Sequence, residues 1–562
     1  MRTILLAAAL AVLRSEEIPI TLLATTDLHG NIFPYDYFTA RPADRGLAKL
    51  ASLIRAVRAE NPNTLLVDCG DTIQGTPLEA VYQYFVSHRR FPLSLPAPAI
   101  PLASDPMMLA MNHLGFDAMA VGNHEYNYGL ENLAQARAAA RFPWLSANTV
   151  VAAGARITPF QPFLVKTIGG VKIAVIGITT PAIPLWEIPE NYAGCRFTSG
   201  VEAARRAVAE LRKSHQPDLI VVAAHAGLDR DLETGRMFSS NMEGENMIYQ
   251  IATGVDGVDA IIYGHTHQQL AGHRVGKVLL AQPKNWGTSL ARLDFVFDTA
   301  AGGRSRLVRS SSRLLPVEAG TKADEEVLAL ARPYHEITER YLATPIAQSP
   351  AVLDTSLSRV EDTALMDAIH TVQMHYAAAD VSLTASFNPR ARFPKGPVTV
   401  REIAALYIYD NDLYAIRGTG RMLRDALENA ARYFRTCGDP ACLTGVLINP
   451  DFLGFNYDMA QGVEYEIDLT QPEGRRVRNL RWRGKPLAED QPLRIALNSY
   501  RVAGAAGYTM FRDAPVAWRS AAGIRELVIE YYTKRKTLPA AADHNWRIVP
   551  EAAAKRLREE AR

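Results

Sequence analysis

Five times in the first half of the chain a short apolar run stops at Asp, Asn or His, nearly always beside glycine. Ile20 to Ala24 leads into Thr25-Thr26-Asp27-Leu28-His29-Gly30-Asn31, and Leu65 to Val67 into Asp68-Cys69-Gly70-Asp71. Ala118 to Val121 leads into Gly122-Asn123-His124-Glu125, Leu219 to Ala224 into His225-Ala226-Gly227, and Ala260 to Tyr263 into Gly264-His265-Thr266-His267. A short apolar run bounded by a turn residue reads as a buried strand. Amphipathic stretches at Gly46 to Arg58, Leu130 to Ala140 and Val201 to Lys213 separate the runs, which is the rhythm of an α/β fold. Ligands of open α/β sheets gather outside the carboxyl ends of the strands, so these polar ends can converge in space. Turn chemistry explains one Gly-Asn-His; it does not explain five such ends. The reading is a metal site.

Bulk properties narrow the alternatives. A chain of 562 residues holds more than one domain. Its net charge of +2 gives no electrostatic case for binding a nucleic acid polymer or an anionic membrane. Four cysteines do not make a disulfide scaffold. Cys437 and Cys442 are close enough to pair across a loop, and spacing alone leaves bonded and reduced forms open. Cys69, two residues before Asp71, reads as a small packing residue behind the site. Met1-Arg2-Thr3, then Ile4 to Leu13, has the make-up of a signal peptide, with Arg14 following closely enough to leave a structureless N-terminus as the alternative. Nothing later reaches transmembrane length.

The expected organisation is a leader over 1–16, a catalytic domain over 17–320, a connecting helix over 321–345, a substrate-binding domain over 346–535 and a tail over 536–562. Arg89 to Ala103, rich in proline, reads as a surface loop. Leu290 to Phe297 and Arg306 to Val317 alternate by twos, as strands do, and Lys322 to Leu342 reads as a helix. The second half shows no further set of metal-like strand ends. Its helices, such as Glu361 to Tyr376 and Met422 to Tyr433, alternate with strands such as Gly462 to Leu469 and Leu493 to Leu497. The charged tail helix reads as solvated.

The motifs Asp27-x-His29, Gly70-Asp71, Gly122-Asn123-His124-Glu125, His225 and Gly264-His265-x-His267 resemble the calcineurin-like metallophosphoesterases. More narrowly, the chain is similar to the branch of bacterial 5′-nucleotidases and 2′,3′-cyclic-nucleotide 2′-phosphodiesterase/3′-nucleotidases. The resemblance implies a β-sandwich flanked by helices, a helical connector and a smaller α/β nucleotide-binding domain. It implies one metal held by Asp27, His29 and His267, a second by Asn123, His225 and His265, and Asp71 bridging them. Two-metal hydrolases hold their ions about 3.5–4 Å apart, a span a carboxylate can bridge. Mixed imidazole, carboxylate and carboxamide donors suit Zn, Mn, Fe or Co better than Ca or Mg. A hydroxide between the ions then attacks phosphorus, and His124, which is not a ligand, stabilises the transition state.

Relatives that cleave 5′-nucleotides pair this histidine with an aspartate three positions on; here Asn127 stands there. The cyclic-phosphodiesterase branch resembles the chain at this point, and also at Thr26 to Asn31, Tyr35-Asp-Tyr37 and Gly75-Thr-Pro-Leu78. Phe455-Asn-Tyr-Asp-Met459 and Ala496-Leu-Asn-Ser-Tyr-Arg501 resemble the family's base-binding segments, which implies a nucleobase held between Tyr457 and Tyr500. The alternative that these are two core tyrosines stays open. Thr384 to Arg390 stands where 5′-nucleotide-cleaving relatives carry an Asn-Gly-Gly-x-Arg-like loop. The expected protein is a periplasmic or secreted two-metal phosphoesterase acting on nucleotides, with no protein partner inferred. The alternatives are a 5′-nucleotidase or nucleotide-sugar hydrolase on the same scaffold, and a non-catalytic binding protein.

Overall fold

Side chains of a strand alternate between faces, and in this chain both faces are buried. The computed structural model describes residues 16–86, 102, 104–238, 244–299, 305–438, 442 and 445–561. Ile20, Leu22 and Ala24 point into a core shared with Leu65, Val67, Ala118 and Ala120. They meet there Ile173, Val175, Val221, Ala223 and Ile262 of a second sheet. The intervening residues face helices instead. Leu23 and Leu66 pack with Leu50 and Ile54 of the helix Leu47–Glu60, and Ile176, Ile220 and Val222 pack with Ala204 and Leu211 of the helix Gly200–Ser214. The result is a two-sheet sandwich clad in helices.

One six-stranded sheet runs Arg306–Pro316, Ser289–Thr299, Glu16–Thr25, Thr64–Asp68, Ala118–Ala120, Trp144–Leu145. The other runs Leu270–Val275, Val278–Gln282, Ala260–Tyr263, Leu219–His225, Val171–Thr179, Phe163–Ile168. The strands that carry the polar ends are parallel neighbours, with Thr25 opposite Asp68 and Ala224 opposite Tyr263, so their carboxyl ends lie side by side. This is the fold class the sequence implies.

The helix Glu325–Leu342 follows, its first turn capped by Asp324, whose carboxylate accepts from Glu326 N and Val327 N. Beyond it lies a five-stranded sheet, Asp458–Gln461, Val381–Ala385, Pro492–Asn498, Asp412–Thr419, Val516–Gly523. A four-stranded sheet contains Glu464–Asp468 and Trp546–Val549, paired in parallel with Tyr465 opposite Trp546. The chain after 536 is therefore an integral part of this unit. Ala553, Ala554 and Leu557 of the last helix are buried, and only its other face is solvated. Cys437 and Cys442 are joined by a disulfide. The leader reading, and all but Leu102 of the loop Arg89 to Ala103, lie outside the described residues.

Candidate metal centre

The site begins with backbone. Asp27 and His29 follow the strand Glu16–Thr25, Asp71 follows Thr64–Asp68, and Asn123 follows Ala118–Ala120. His225 ends Leu219–His225, and His265 and His267 follow Ala260–Tyr263. Five of these residues have left-handed backbone: Asp27 (φ 50°), His29 (φ 48°), Asp71 (φ 58°), His265 (φ 75°) and His267 (φ 54°). Such a conformation costs a side-chain-bearing residue about 1–2 kcal/mol and persists only where surrounding contacts enforce it.

Two buried carboxylates hold the turn around Asp71. Glu125 accepts from Gly122 N (2.7 Å), Asp71 N (2.9 Å) and Thr72 N (2.6 Å), which ties the second and third strand ends together. Asp68 accepts from Thr25 Oγ1 (2.6 Å), Gly70 N (2.8 Å) and Thr72 Oγ1 (2.8 Å), which ties the first to the second. Two glycines permit the close approach. A Cβ on Gly264 would stand 1.8 Å from Thr26 Oγ1 and 2.6 Å from Asp27 Oδ2, and one on Gly122 would stand 2.2 Å from Asp71 Oδ1.

Donor atoms of Asp27, His29 and His267 lie within 4.8 Å of one another, as do those of Asp71, His225 and His265. His29 Nε2 is 3.1 Å from His267 Nε2, and His267 Nε2 is 3.3 Å from Asp27 Oδ1. His225 Nε2 is 3.0 Å from Asp71 Oδ2 and 3.1 Å from Asn123 Oδ1. Asp71 Oδ2 is 3.9 Å from His29 Nε2, so it lies between the two groups.

The surroundings select the tautomers. His29 Nδ1 donates to the Gln74 carbonyl (2.8 Å) and His225 Nδ1 to the Cys69 carbonyl (2.8 Å). Each ring thereby turns its Nε2 inward. Burial works to lower the His225 imidazole, but Asp71 outweighs it and raises the group to about 10, so a bound cation would take the place of its Nε2 proton. His265 uses Nε2 toward Glu245 Oε1 (3.0 Å), which leaves its Nδ1 as the donor atom. Burial pulls the His29 imidazole down to about 4, so it is neutral at neutral pH. Burial works to raise the Asp71 carboxyl, but the flanking His225 and His124 outweigh it and hold the group well below the ordinary carboxylate range. Imidazole nitrogens, carboxylate oxygens and one carboxamide oxygen directed at common points fit divalent cations, and the site divides into two such points.

His124 stands beside the donor groups, with Nε2 3.9 Å from Asp71 Oδ2 and a third of its side chain exposed. Its Nδ1 is 2.5 Å from Asn127 Oδ1, and Asn127 Nδ2 donates to Glu187 Oε2 at 2.6 Å. Glu187 and the organising role of Glu125 both escape a reading by strand ends. Glu125 at least sits inside the motif, whereas Glu187 belongs to an irregular segment with no periodicity to mark it.

The second unit corrects one expectation. Tyr457 is fully buried, its ring stacked on Tyr433 at 5.1 Å between centroids and edged by Phe434 and Trp546. No face of it is open to a nucleobase. Phe455, two residues earlier and half-buried, stands edge-on to the exposed Tyr409, with centroids 6.4 Å apart. Tyr500 is also half-buried and lies within electrostatic reach of Tyr409 and of Glu245, the partner of His265. A buried ion pair joins the two segments. Arg501 donates Nε to Asp458 Oδ2 (2.8 Å), Nη2 to Asp458 Oδ1 (2.8 Å) and Nη2 to the Phe455 carbonyl (2.9 Å). The units also meet at Asp410, which accepts from Gln74 Nε2 (2.7 Å) and Tyr128 OH (3.0 Å) and pairs with Arg525.

A helix-clad two-sheet sandwich with this donor set at its strand ends defines a metallophosphoesterase, a metal-dependent phosphoric ester hydrolase. Residues 20–269 match the calcineurin-like phosphoesterase family, and residues 345–513 match the 5′-nucleotidase C-terminal domain. The trifunctional nucleotide phosphoesterase of Bacillus subtilis is 29% identical over 95% of this chain, which spans 39% of that longer protein. The 2′,3′-cyclic-nucleotide 2′-phosphodiesterase/3′-nucleotidase of Salmonella typhimurium is 28% identical over 98% of this chain and 91% of its own length. A putative 5′-nucleotidase from Staphylococcus aureus superposes with a TM-score of 0.81 at 28% identity, over 94% of this chain and all of that one. The two matches place a calcineurin-like phosphoesterase domain and a 5′-nucleotidase C-terminal domain in one chain.

Proposed function

We propose that the protein hydrolyses nucleotides, opening 2′,3′-cyclic nucleotides as a 2′-phosphodiesterase and releasing the 3′-phosphate as a nucleotidase. The observation that carries this reading is the two-point donor set beside half-buried aromatic rings of the second unit, Tyr500 lying within electrostatic reach of Glu245, which holds His265. Asp27, His29 and His267 would hold one divalent cation and Asn123, His225 and His265 the other, with Asp71 standing between the two groups. Mn, Zn, Fe or Co suits this mixture of donors. When bound, the cations act as Lewis acids, lowering the pKa of water and neutralising phosphoryl charge. His124 Nε2, the nitrogen of that ring turned toward Asp71, hydrogen-bonds the phosphoryl group as charge develops. Asn127 orients His124. Phe455 and Tyr500 take the faces of the base, with Phe455 replacing the buried Tyr457.

Asn127 favours the cyclic substrate. A carboxamide stabilises an imidazolium less than a carboxylate does, which weakens assistance to a poor leaving group. A strained cyclic diester needs less of that assistance. The name of the Salmonella relative agrees, and the names of 5′-nucleotidase relatives leave 5′-monophosphates as the second reading. Export to a periplasm or beyond goes with the Cys437–Cys442 disulfide, a bond of oxidising compartments. No helix among the described residues is long and apolar enough to cross a membrane. The test is a panel of 2′,3′-cyclic AMP, 3′-AMP, 5′-AMP and a nucleotide sugar under matched manganese. A higher kcat/KM on the cyclic ester is expected. A preference for 5′-AMP overturns the assignment and leaves the phosphoesterase class standing.

A further inference from the structure

The chain from His124 does not end at Asn127. Asn127 Oδ1 is 2.5 Å from His124 Nδ1, and Asn127 Nδ2 is 2.6 Å from Glu187 Oε2. The other oxygen of Glu187 accepts from Ile188 N at 2.8 Å and from Asn191 Nδ2 at 3.0 Å. Asn191 Nδ2 also donates to the Asn127 carbonyl oxygen at 3.0 Å, which pins the backbone of the same residue. Three donors therefore hold one carboxylate, and that carboxylate faces the carboxamide beside His124.

A carboxamide is nearly symmetric in shape, and only its partners decide which end is oxygen. An ionised carboxylate accepts and cannot donate, so the Asn127 end that faces Glu187 is the NH2 group. The oxygen is thereby turned to His124, and the ring nitrogen it meets carries the proton. Nε2 is left as the nitrogen that faces the site. We propose that Glu187 is a positioning residue for hydrolysis, fixing His124 in its Nδ1–H tautomer through the Asn127 carboxamide. The proposal rests on the assignment of His124 to the reaction made above.

The acceptor for the histidine is thus a neutral carboxamide, with the charge one residue further out. Burial pushes the Glu187 carboxyl up to about 7, while the contacts from Asn127, Ile188 and Asn191 work against that rise. The group is ionised at pH 8.

The direction of the chain gives a test that loss of packing cannot imitate. Glu187→Gln keeps shape but lets the amide pair turn either way. Asn127→Asp sets two carboxylates at hydrogen-bond distance. The double variant Asn127→Asp/Glu187→Gln restores the order: the Gln amide donates to the Asp, and the Asp accepts from Nδ1–H. At pH 8, with metal content checked, Glu187→Gln is expected to lose roughly tenfold or more in kcat with KM within about twofold. The double variant is expected to recover to within about threefold of wild type. Glu187→Gln at wild-type kcat, or a double variant no better than the worse single one, overturns the proposal. Nitrogen-15 spectra of histidine-labelled, zinc-loaded protein provide a readout apart from turnover. His124 is expected as a pure Nδ1–H tautomer in the wild type and as a mixture in Glu187→Gln; the same pure tautomer in both overturns it. Wild-type failure on every nucleotide sinks the substrate assignment alone, and the spectra still decide the role of Glu187.

Discussion

The Arg501–Asp458 pair gives a quantitative test of how the second unit presents its aromatic rings. Both side chains are 1% exposed, and the guanidinium makes two parallel 2.8 Å contacts with the carboxylate. Tyr508 packs over the guanidinium with its ring centroid at 4.4 Å, which excludes water from that side. Asp458→Ala would leave a buried cation with neither solvent nor counter-charge, a loss worth about 3–5 kcal/mol. At about 2–4 °C per kcal/mol for a unit of this size, its melting transition falls by about 6–20 °C. Arg501 also holds the Phe455 carbonyl, so KM for a nucleotide rises while phosphate release from a small aryl phosphate is unchanged. The measurements are thermal melts followed by near-UV circular dichroism and steady-state kinetics on both substrates. Asp458→Leu with Arg501→Met removes both charges and is expected to cost much less than Asp458→Ala. A loss below about 1 kcal/mol in Asp458→Ala would refute the reasoning, because the cation would then have found another way to be solvated.

Gly264→Ala drives a methyl group onto Thr26 Oγ1 and Asp27 Oδ2, so metal content by mass spectrometry is expected to fall; two retained ions per chain would contradict the close-approach argument. Phe455→Ala and Tyr500→Ala are each expected to raise KM by about 5- to 150-fold, the range of 1–3 kcal/mol per stacked base, with folding intact. Tyr457→Ala is expected instead to destabilise by about 3–5 kcal/mol, as other large core truncations do, and denaturant melts distinguish the two outcomes. Burial pulls His370 from 6.5 down to about 3, so the unfolded chain binds the extra proton between those values. Stability is then full above pH 6.5 and falls as the solution is acidified toward 3, by up to about 5 kcal/mol at 1.36 kcal/mol per unit. In His370→Gln, urea midpoints from pH 7 to pH 4 are expected to fall less steeply than in wild type.

The strand ends were legible because three signals coincide there: an apolar run, a glycine and a residue able to bind metal. Cys69 was legible for the same reason, and it lies in the inter-sheet core with its carbonyl on His225. The sequence does not separate Phe455 from Tyr457, both plausible base platforms two residues apart. Only the packing of Tyr433 and Trp546 around Tyr457 separates them. The docking of the tail leaves no local signal, because Trp546–Val549 has four residues, too few for periodicity, and pairs with Tyr465 and its neighbours some 80 positions earlier. Glu187 lies 60 residues from Asn127, and such a contact leaves no local pattern.

The left-handed backbone at Asp27, His29, Asp71, His265 and His267 has a consequence for how such a site can change. After glycine, the residues that best tolerate that conformation are Asn, Asp and His. Those are also residues that supply oxygen or imidazole donors to borderline metals. At these five positions conformation and coordination therefore draw on one short vocabulary. A lineage can exchange Asp, Asn and His there, altering charge and metal preference, without rebuilding a loop. Substitution by a β-branched residue breaks both demands at once. The metal is the more replaceable partner; the shape of the loops is not.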